Sequence, residues 1–217
     1  MATTTLLGLT LTLTPPALTA LRIAPLLSST ASLTHAYMEW LTNSSFLAPA
    51  PVDSKLSLFL RGADAPRNNT PTVQNPHLEL ELANAKQLVV PQWFTNFFNK
   101  GVVSVIALNS LTLLSALLNL VLGEGLGPSR VFYQAGLAAA VAHYAFVPLV
   151  GRSVRELIGI AATQGAGEEE KEGGGKGRAV EWVREWVWYH RVRMCSVDVV
   201  AWGCFAWGFV HAVTLET

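Results

Sequence analysis

Three polar residues near the start of the last apolar run carry side chains suited to acid–base chemistry. His190 offers an imidazole, which is the natural base near neutral pH. Arg193 offers a permanently charged guanidinium that can hold an oxyanion, and Asp198 is a candidate orienting carboxylate. His190, Arg193 and Val197 form one stripe at helical spacing. Asp198 lies about two turns from Arg191, so an Arg191–Asp198 pair is predicted only as a stretched or water-bridged contact.

Two earlier stretches contain further candidate bases. His35 and Glu39 are four residues apart and therefore share one face of a helix, while His143 stands in a small-residue apolar run. Each has a structural alternative: His35 and Glu39 as the interfacial end of a helix, His143 as a hydrogen-bonding group between helices. No ligand pair among these residues has the spacing of a metal site, and we predict none.

Composition indicates a membrane protein. The chain has 217 residues, of which 51% are hydrophobic and 14% charged, and about a quarter charged is usual for a soluble domain. The formal net charge is zero, which excludes the basic surface of a nucleic-acid-binding protein. Cys195 and Cys204 are nine residues apart in one apolar run, so neither a mutual disulfide nor a zinc site is predicted.

The fold class predicted from the apolar runs is an all-α, four-helix transmembrane bundle forming a single integral membrane domain over residues 1–217. The spans are predicted at roughly 17–46, 98–122, 131–150 and 194–214, each close to the length that crosses about 30 Å of hydrocarbon. Asn109 and Asn119 in the second span are predicted to hydrogen-bond a neighbouring helix. Pro148 is predicted to weaken the end of the third span.

The segments between these spans are predicted as loops at 48–90 and 151–181. Residues 77–86, HLELELANAK, alternate like a strand but are expected to lie on the membrane surface or to cap the bundle. Residues 165–178 are rich in Gly and Glu and predict a solvated, flexible loop. Asn43 and Asn68 match the glycosylation pattern. A signal peptide is the alternative for the first span, but the basic region that precedes such a peptide is missing.

Basic residues predict the orientation. Of fifteen Lys and Arg residues, five lie from Lys55 to Lys100 and eight from Arg152 to Arg193. Because cytosolic loops are enriched in Lys and Arg, both long loops are predicted to be cytosolic, in a membrane that the sequence does not identify.

Three landmarks resemble the anthrone oxygenase-like family of small four-span membrane proteins, of the fungal polyketide-pathway type. They are QWFTNFFNKG leading into the second span, FVPLVGRSVREL closing the third and EWVREWVWYHRVRMCSVD entering the fourth. The family's Trp, His or Asn, and Arg pattern is matched by Trp186, His190 and Arg193. In the Pro-x-Asn that typically ends the third helix, Pro148 is present and Val150 replaces the Asn. The resemblance covers about residues 88–212.

The resemblance implies a monooxygenase that converts an anthrone-like aromatic polyketide to a quinone without an organic cofactor or a metal. The predicted catalytic residues are His190, Arg193, His143 and Asp198. The predicted substrate-binding residues are Trp93, Trp186, His35 and Glu39. The expected partners are the lipid bilayer and a small aromatic substrate, with a homo-oligomer left open. The alternative is a non-catalytic membrane scaffold or lipophile-binding protein.

Overall fold

A computed structural model describes residues 2–6, 9–48, 76–122, 126–166 and 177–214. The predicted Gly- and Glu-rich loop therefore falls largely outside the described residues, as does Asn68. The chain opens with an antiparallel hairpin of two strands, β1 (Ala2–Leu6) and β2 (Leu9–Leu13), which the sequence analysis did not predict. Everything else in the described chain is helix or short turn.

The first helix, α1 (Pro15–Ser45), begins with two prolines. Proline suits the first turn of a helix because its missing N–H would have no intrahelical partner there. Pro25, in contrast, lies inside the helix and leaves the carbonyl of Leu21 without its usual donor four residues on. The side-chain amide of Asn119, from the next helix, donates to that carbonyl at 2.6 Å. This contact confirms the predicted interhelical role of Asn119.

The second helix, α2 (Pro76–Leu122), has 47 residues and is about 70 Å long at 1.5 Å per residue. It begins inside the segment predicted as a loop at 48–90, so that boundary is wrong by fifteen residues. Residues 77–86 are helical rather than extended. Leu, Glu, Ala and Lys are strong helix formers, and this local preference outweighs the alternating pattern when a long helix follows directly.

The third span also differs from its predicted end. α3 (Arg130–Ala142) follows a 3-10 turn at Gly127–Ser129 and passes through a second 3-10 turn, His143–Phe146, into α4 (Val147–Ala166). Pro148 interrupts regular hydrogen bonding at this turn without ending the helix, because it stands in the first turn of α4. Most of the loop predicted at 151–181 is therefore helical up to Ala166.

The last span is one long helix with an interruption. α5 (Ala179–Arg193) leads through a single π-helical turn, Met194–Asp198, into α6 (Val199–Thr214). Three helical stretches of the described chain are long and apolar enough to cross a membrane: Leu80–Leu122, Gly127–Gly165 and Ala179–Thr214. The chain thus has the helices of a multi-pass integral membrane protein.

Four helical rods pack side by side: α1, α2, α3 with α4, and α5 with α6. The second and fourth rods also contact each other through α2 and α5. Two apolar clusters fill the interior. One contains Phe94, Leu157, Val183 and Trp186, and the other contains Ala116, Tyr133, Ala201 and Phe205. Along every rod, the residues between these clusters include polar side chains that face inward. The fold therefore places these buried polar residues between the two apolar clusters. This polar centre includes Glu39, Asn109, His143 and His190.

Candidate functional site

The polar centre is organised around Arg193 and Asp198. Arg193 Nε lies 3.3 Å from Asp198 Oδ2, and the two side chains are only 12% and 10% exposed. In an α-helix, residues five apart point about 140° away from each other. The π-helical turn between them has i→i+5 hydrogen bonds, so it brings both residues onto one face. The predicted pairing of Asp198 with Arg191 is wrong; Arg191 is exposed.

Asp198 also holds His143, which comes from the 3-10 turn between α3 and α4. His143 Nδ1 lies 2.8 Å from Asp198 Oδ1, and His143 Nε2 lies 3.1 Å from Asn109 Nδ2. Ser32 donates to Asn109 Oδ1 at 3.4 Å. Because that oxygen accepts, the Asn109 amide nitrogen must donate to His143 Nε2, and the imidazole proton then sits on Nδ1 facing Asp198. These contacts confirm that Asn109 bridges helices.

His190 is buried and both of its ring nitrogens are engaged. Nε2 donates to the carbonyl of Ala36 at 2.8 Å, which ties α5 to α1. Nδ1 accepts from Arg193 Nη2 at 3.3 Å. The Trp186 ring stacks on the imidazole with centroids 4.6 Å apart and an interplanar angle of 22°. His190 therefore positions Arg193 and fixes the spacing of two helices.

Glu39 and His35 reach the same centre from α1. Glu39 is 7% exposed, and its two oxygens lie 3.6 Å from His35 Nδ1 and 3.8 Å from His190 Nε2. A Cβ at Gly101 of α2 would come within 3.2 Å of Glu39 Oε1. The alternative in which Glu39 is an interfacial, solvent-seeking end of the helix is wrong, because its carboxylate is turned into the bundle. His35 is partly exposed.

Two buried atoms at the centre lack hydrogen bonds. Arg193 Nε and Asp198 Oδ2 face each other at ion-pair distance but with an orientation that completes no hydrogen bond. A buried polar group without a partner costs about 1–3 kcal/mol, and more when it is charged. Buried polar atoms left in this state have recognised explanations, among them a catalytic role and a bound water or ion.

A small cavity adjoins this centre. Its volume is about 20 Å³, which is room for one water molecule. All four rods contribute to its lining, which consists of Ser29, Ser32, Asn109, Thr112, Ala140, His143, Asp198 and Ala201. A tricyclic aromatic molecule does not fit in it, so a substrate of that size has to part the helices or occupy their margin.

Not every predicted site residue joins the centre. His190, Arg193, His143 and Asp198 form one connected network, with His35, Glu39 and Trp186 at its edge. Trp93 lies in the aromatic cluster instead, where its ring contacts Phe46 at 4.7 Å and stacks on Phe97 at 5.0 Å. Two residues of the site had no predicted role in it: Ser32, which bonds Asn109, and Gly101, which leaves space beside Glu39. Neither residue type carries a chemical signal in sequence.

The described residues contain no group of three or more His, Cys, Asp or Glu side chains arranged to hold a metal ion. Cys195 and Cys204 are free thiols, the first exposed and the second partly buried. No protein family model matches this chain, and neither the curated proteins nor the solved structures contain a match to it.

Proposed function

We propose that this protein is an integral membrane oxygenase that converts a lipophilic anthrone to the corresponding quinone. The observation that supports the proposal best is the buried Arg193–Asp198–His143 network. A charged group inside a membrane bundle is costly and usually functional. Arg193 is held on one side by His190 and on the other by Asp198, which leaves Nη1 without a hydrogen bond among the described residues. That nitrogen is available to an anionic oxygen.

The reaction requires a base and a cation from the protein. A base removes a proton from the central methylene of the anthrone, because the resulting anion is an aromatic phenolate. The anion gives its electrons to O₂ and a carbon–oxygen bond forms; loss of water from the hydroperoxide leaves the quinone carbonyl. Anthrone and O₂ thus give anthraquinone and H₂O. Arg193 would bind the phenolate oxygen, and a preorganised cation in a dry site stabilises such charge strongly.

We also propose that α1 is a fourth membrane span. Leu21 and Glu39 of α1 contact Asn119 and Gly101 of α2, respectively, so the two helices run antiparallel between these contacts. This part of α2 belongs to a stretch that is long and apolar enough to cross a membrane. Two helices in antiparallel contact over that length lie at the same depth. Its polar residues, such as Arg22 and Glu39, are buried in the bundle, whereas Leu27, Met38 and other apolar side chains face outward. With four spans and cytosolic basic loops, residues before α1 and after α6 lie on the opposite face.

The test is oxygen-dependent conversion of emodin anthrone by membranes containing the protein. The variant is Arg193→Ala, and the matched control is Arg191→Ala, which removes an exposed charge two residues away. We expect conversion above that of empty membranes for the wild type and for Arg191→Ala, and loss of at least a hundredfold for Arg193→Ala. Equal rates in all three membranes, at equal protein level, would rule the proposal out.

A second candidate function is a non-catalytic scaffold or lipophile-binding protein. The small volume beside the network favours it, since about 20 Å³ admits no aromatic ring system. On this alternative the polar centre only holds helices together. It predicts that Arg193→Ala lowers stability without changing any chemical conversion, and the same membranes distinguish the two cases.

A further inference from the structure

Glu39 carries a buried carboxylate that has no hydrogen bond in the part of the chain that the structure describes. Its two oxygens lie 3.6 Å from His35 Nδ1 and 3.8 Å from His190 Nε2, both beyond hydrogen-bond distance. The side chain is 9% exposed. Buried carboxylates are normally hydrogen-bonded, and one that lacks a hydrogen bond inside a membrane bundle is placed to bind a ligand or to accept a proton.

Of the other candidate proton acceptors, His35 is 29% exposed in its side chain and stands at the edge of the centre, and the remaining three are already occupied. The lone pair of His143 Nε2 accepts from Asn109, and that of His190 Nδ1 accepts from Arg193. Asp198 Oδ1 accepts from His143, and its Oδ2 faces the Arg193 guanidinium. Taking a proton on any of these atoms would break an existing contact. Glu39 takes one without such a loss.

We infer that Glu39 is the general base of this site, accepting the proton of an acidic C–H or phenolic O–H of an aromatic substrate bound between α1 and α2. This inference rests on the proposed function. Within that reaction the methylene proton moves to a Glu39 oxygen and is returned to the peroxide. The second methylene proton follows the same route and leaves with hydroxide as water. Glu39 is regenerated after each turnover.

Charge favours a carboxylate over an imidazole in this role. The centre contains two acidic groups, Glu39 and Asp198, and one permanent cation, Arg193. Proton transfer to an ionised Glu39 moves a negative charge from the protein to the substrate and creates no new charge. Transfer to a neutral histidine would create an ion pair, which is costly where water is excluded. The displaced negative charge also stays within reach of Arg193.

Gly101 lets the backbone of α2 pack directly beside this carboxylate. A Cβ built there meets only Glu39 Oε1 at 3.2 Å and His35 Cε1 at 3.8 Å. The α2 backbone therefore comes so close to Glu39 that a side chain at position 101 would press on the carboxylate. An aromatic substrate that parts α1 and α2 at this point would bring its acidic hydrogen to Glu39.

The test separates proton removal from oxygenation by excluding O₂. Wild-type, Glu39→Gln and Glu181→Gln membranes are mixed anaerobically with emodin anthrone, and the visible absorption of its anion is recorded. Glu181 is the control because it is exposed and paired with Arg178 at 3.0 Å on the surface of α5. Thermal unfolding of each variant establishes that the isosteric change leaves the fold intact. Aerobic conversion is then measured on the same membranes with ordinary anthrone and with anthrone deuterated at the methylene.

We expect anion formation in wild-type and Glu181→Gln membranes and at least a tenfold reduction for Glu39→Gln. Glu39→Asp should recover part of the signal, because it restores the carboxylate at a shorter reach. Deuteration should slow the residual aerobic rate of Glu39→Gln more than that of the wild type. Undiminished anion formation by folded Glu39→Gln, or none in the wild type, overturns the assignment of Glu39. In the first case the oxygenase proposal stands, since it is tested separately by Arg193→Ala.

Discussion

Arg193 Nε and Asp198 Oδ2 lie 3.3 Å apart because a single π-helical turn, Met194–Asp198, separates the two residues. Without that turn, the guanidinium and the carboxylate would point to different sides of the last span. The turn thus converts two isolated charges in a membrane helix into a pair. π-helical turns of this kind occur frequently at functional sites.

Breaking this pair from either side should cost considerable stability. Removing one partner leaves a buried charge unpaired, and the expected loss is about 3–5 kcal/mol for Arg193→Ala or for Asp198→Ala. The double variant removes both charges and should be less destabilised than the sum of the single variants. Reversible unfolding in mixed micelles measures the coupling. Additive losses would show that the two groups do not interact.

Asn119→Ala should destabilise the bundle by about 1–2 kcal/mol, because it deprives the Leu21 carbonyl of its donor. The carbonyl needs this donor only because Pro25 has no N–H. In a Pro25→Ala background the helix supplies its own hydrogen bond, so Asn119→Ala should then cost clearly less. The same unfolding assay reports both values. An equal loss in both backgrounds would mean that Asn119 acts through packing alone.

Much of this architecture follows from the sequence, and the remainder depends on contacts between distant residues. Hydropathy locates the apolar runs. Polar residues within these runs indicate that the runs pack against one another, because such side chains are costly to expose to lipid. The pairing of Arg193 with Asp198 could not be predicted, since a π-helical turn has no sequence signature and a regular helix places Arg191 nearer. The burial of Glu39 depends on how closely Gly101 lets α2 approach, which no local pattern encodes.

Gly136 of α3 packs tightly against Phe205 of α6. A Cβ at this position would lie 2.6 Å from Phe205 Cε1, and the ring has no room to retreat because Phe205 is fully buried. Gly136→Ala should therefore cost about 1–3 kcal/mol through overpacking. The control is Gly203→Ala in α6, where a Cβ meets nothing within 4 Å and alanine should be neutral or slightly stabilising. Similar unfolding curves for the two variants would contradict this packing.

Gly101→Ala should separate activity from stability. The added methyl presses on Glu39 Oε1 at 3.2 Å, so the carboxylate must shift by a few tenths of an ångström. Alanine is also the better helix former, so stability should hold. Because small misplacements of a catalytic group are costly, we expect roughly a tenfold slower anthrone conversion. The control is Gly151→Ala, which has no atom within 4 Å of its Cβ; equal activity in both variants would place Glu39 outside the reaction.

Glycosylation reporters test whether α1 crosses the membrane. If it does, acceptor sites engineered before Pro15 and after Thr214 are both modified in microsomes, because both segments then lie on the lumenal face. If only the three stretches from Leu80 to Thr214 cross, the two segments lie on opposite faces and one reporter stays unmodified. The natural sequon at Asn43 provides an internal control. Its side chain is fully buried and its amide donates to the Glu39 carbonyl at 2.8 Å, so it should remain unmodified in every variant.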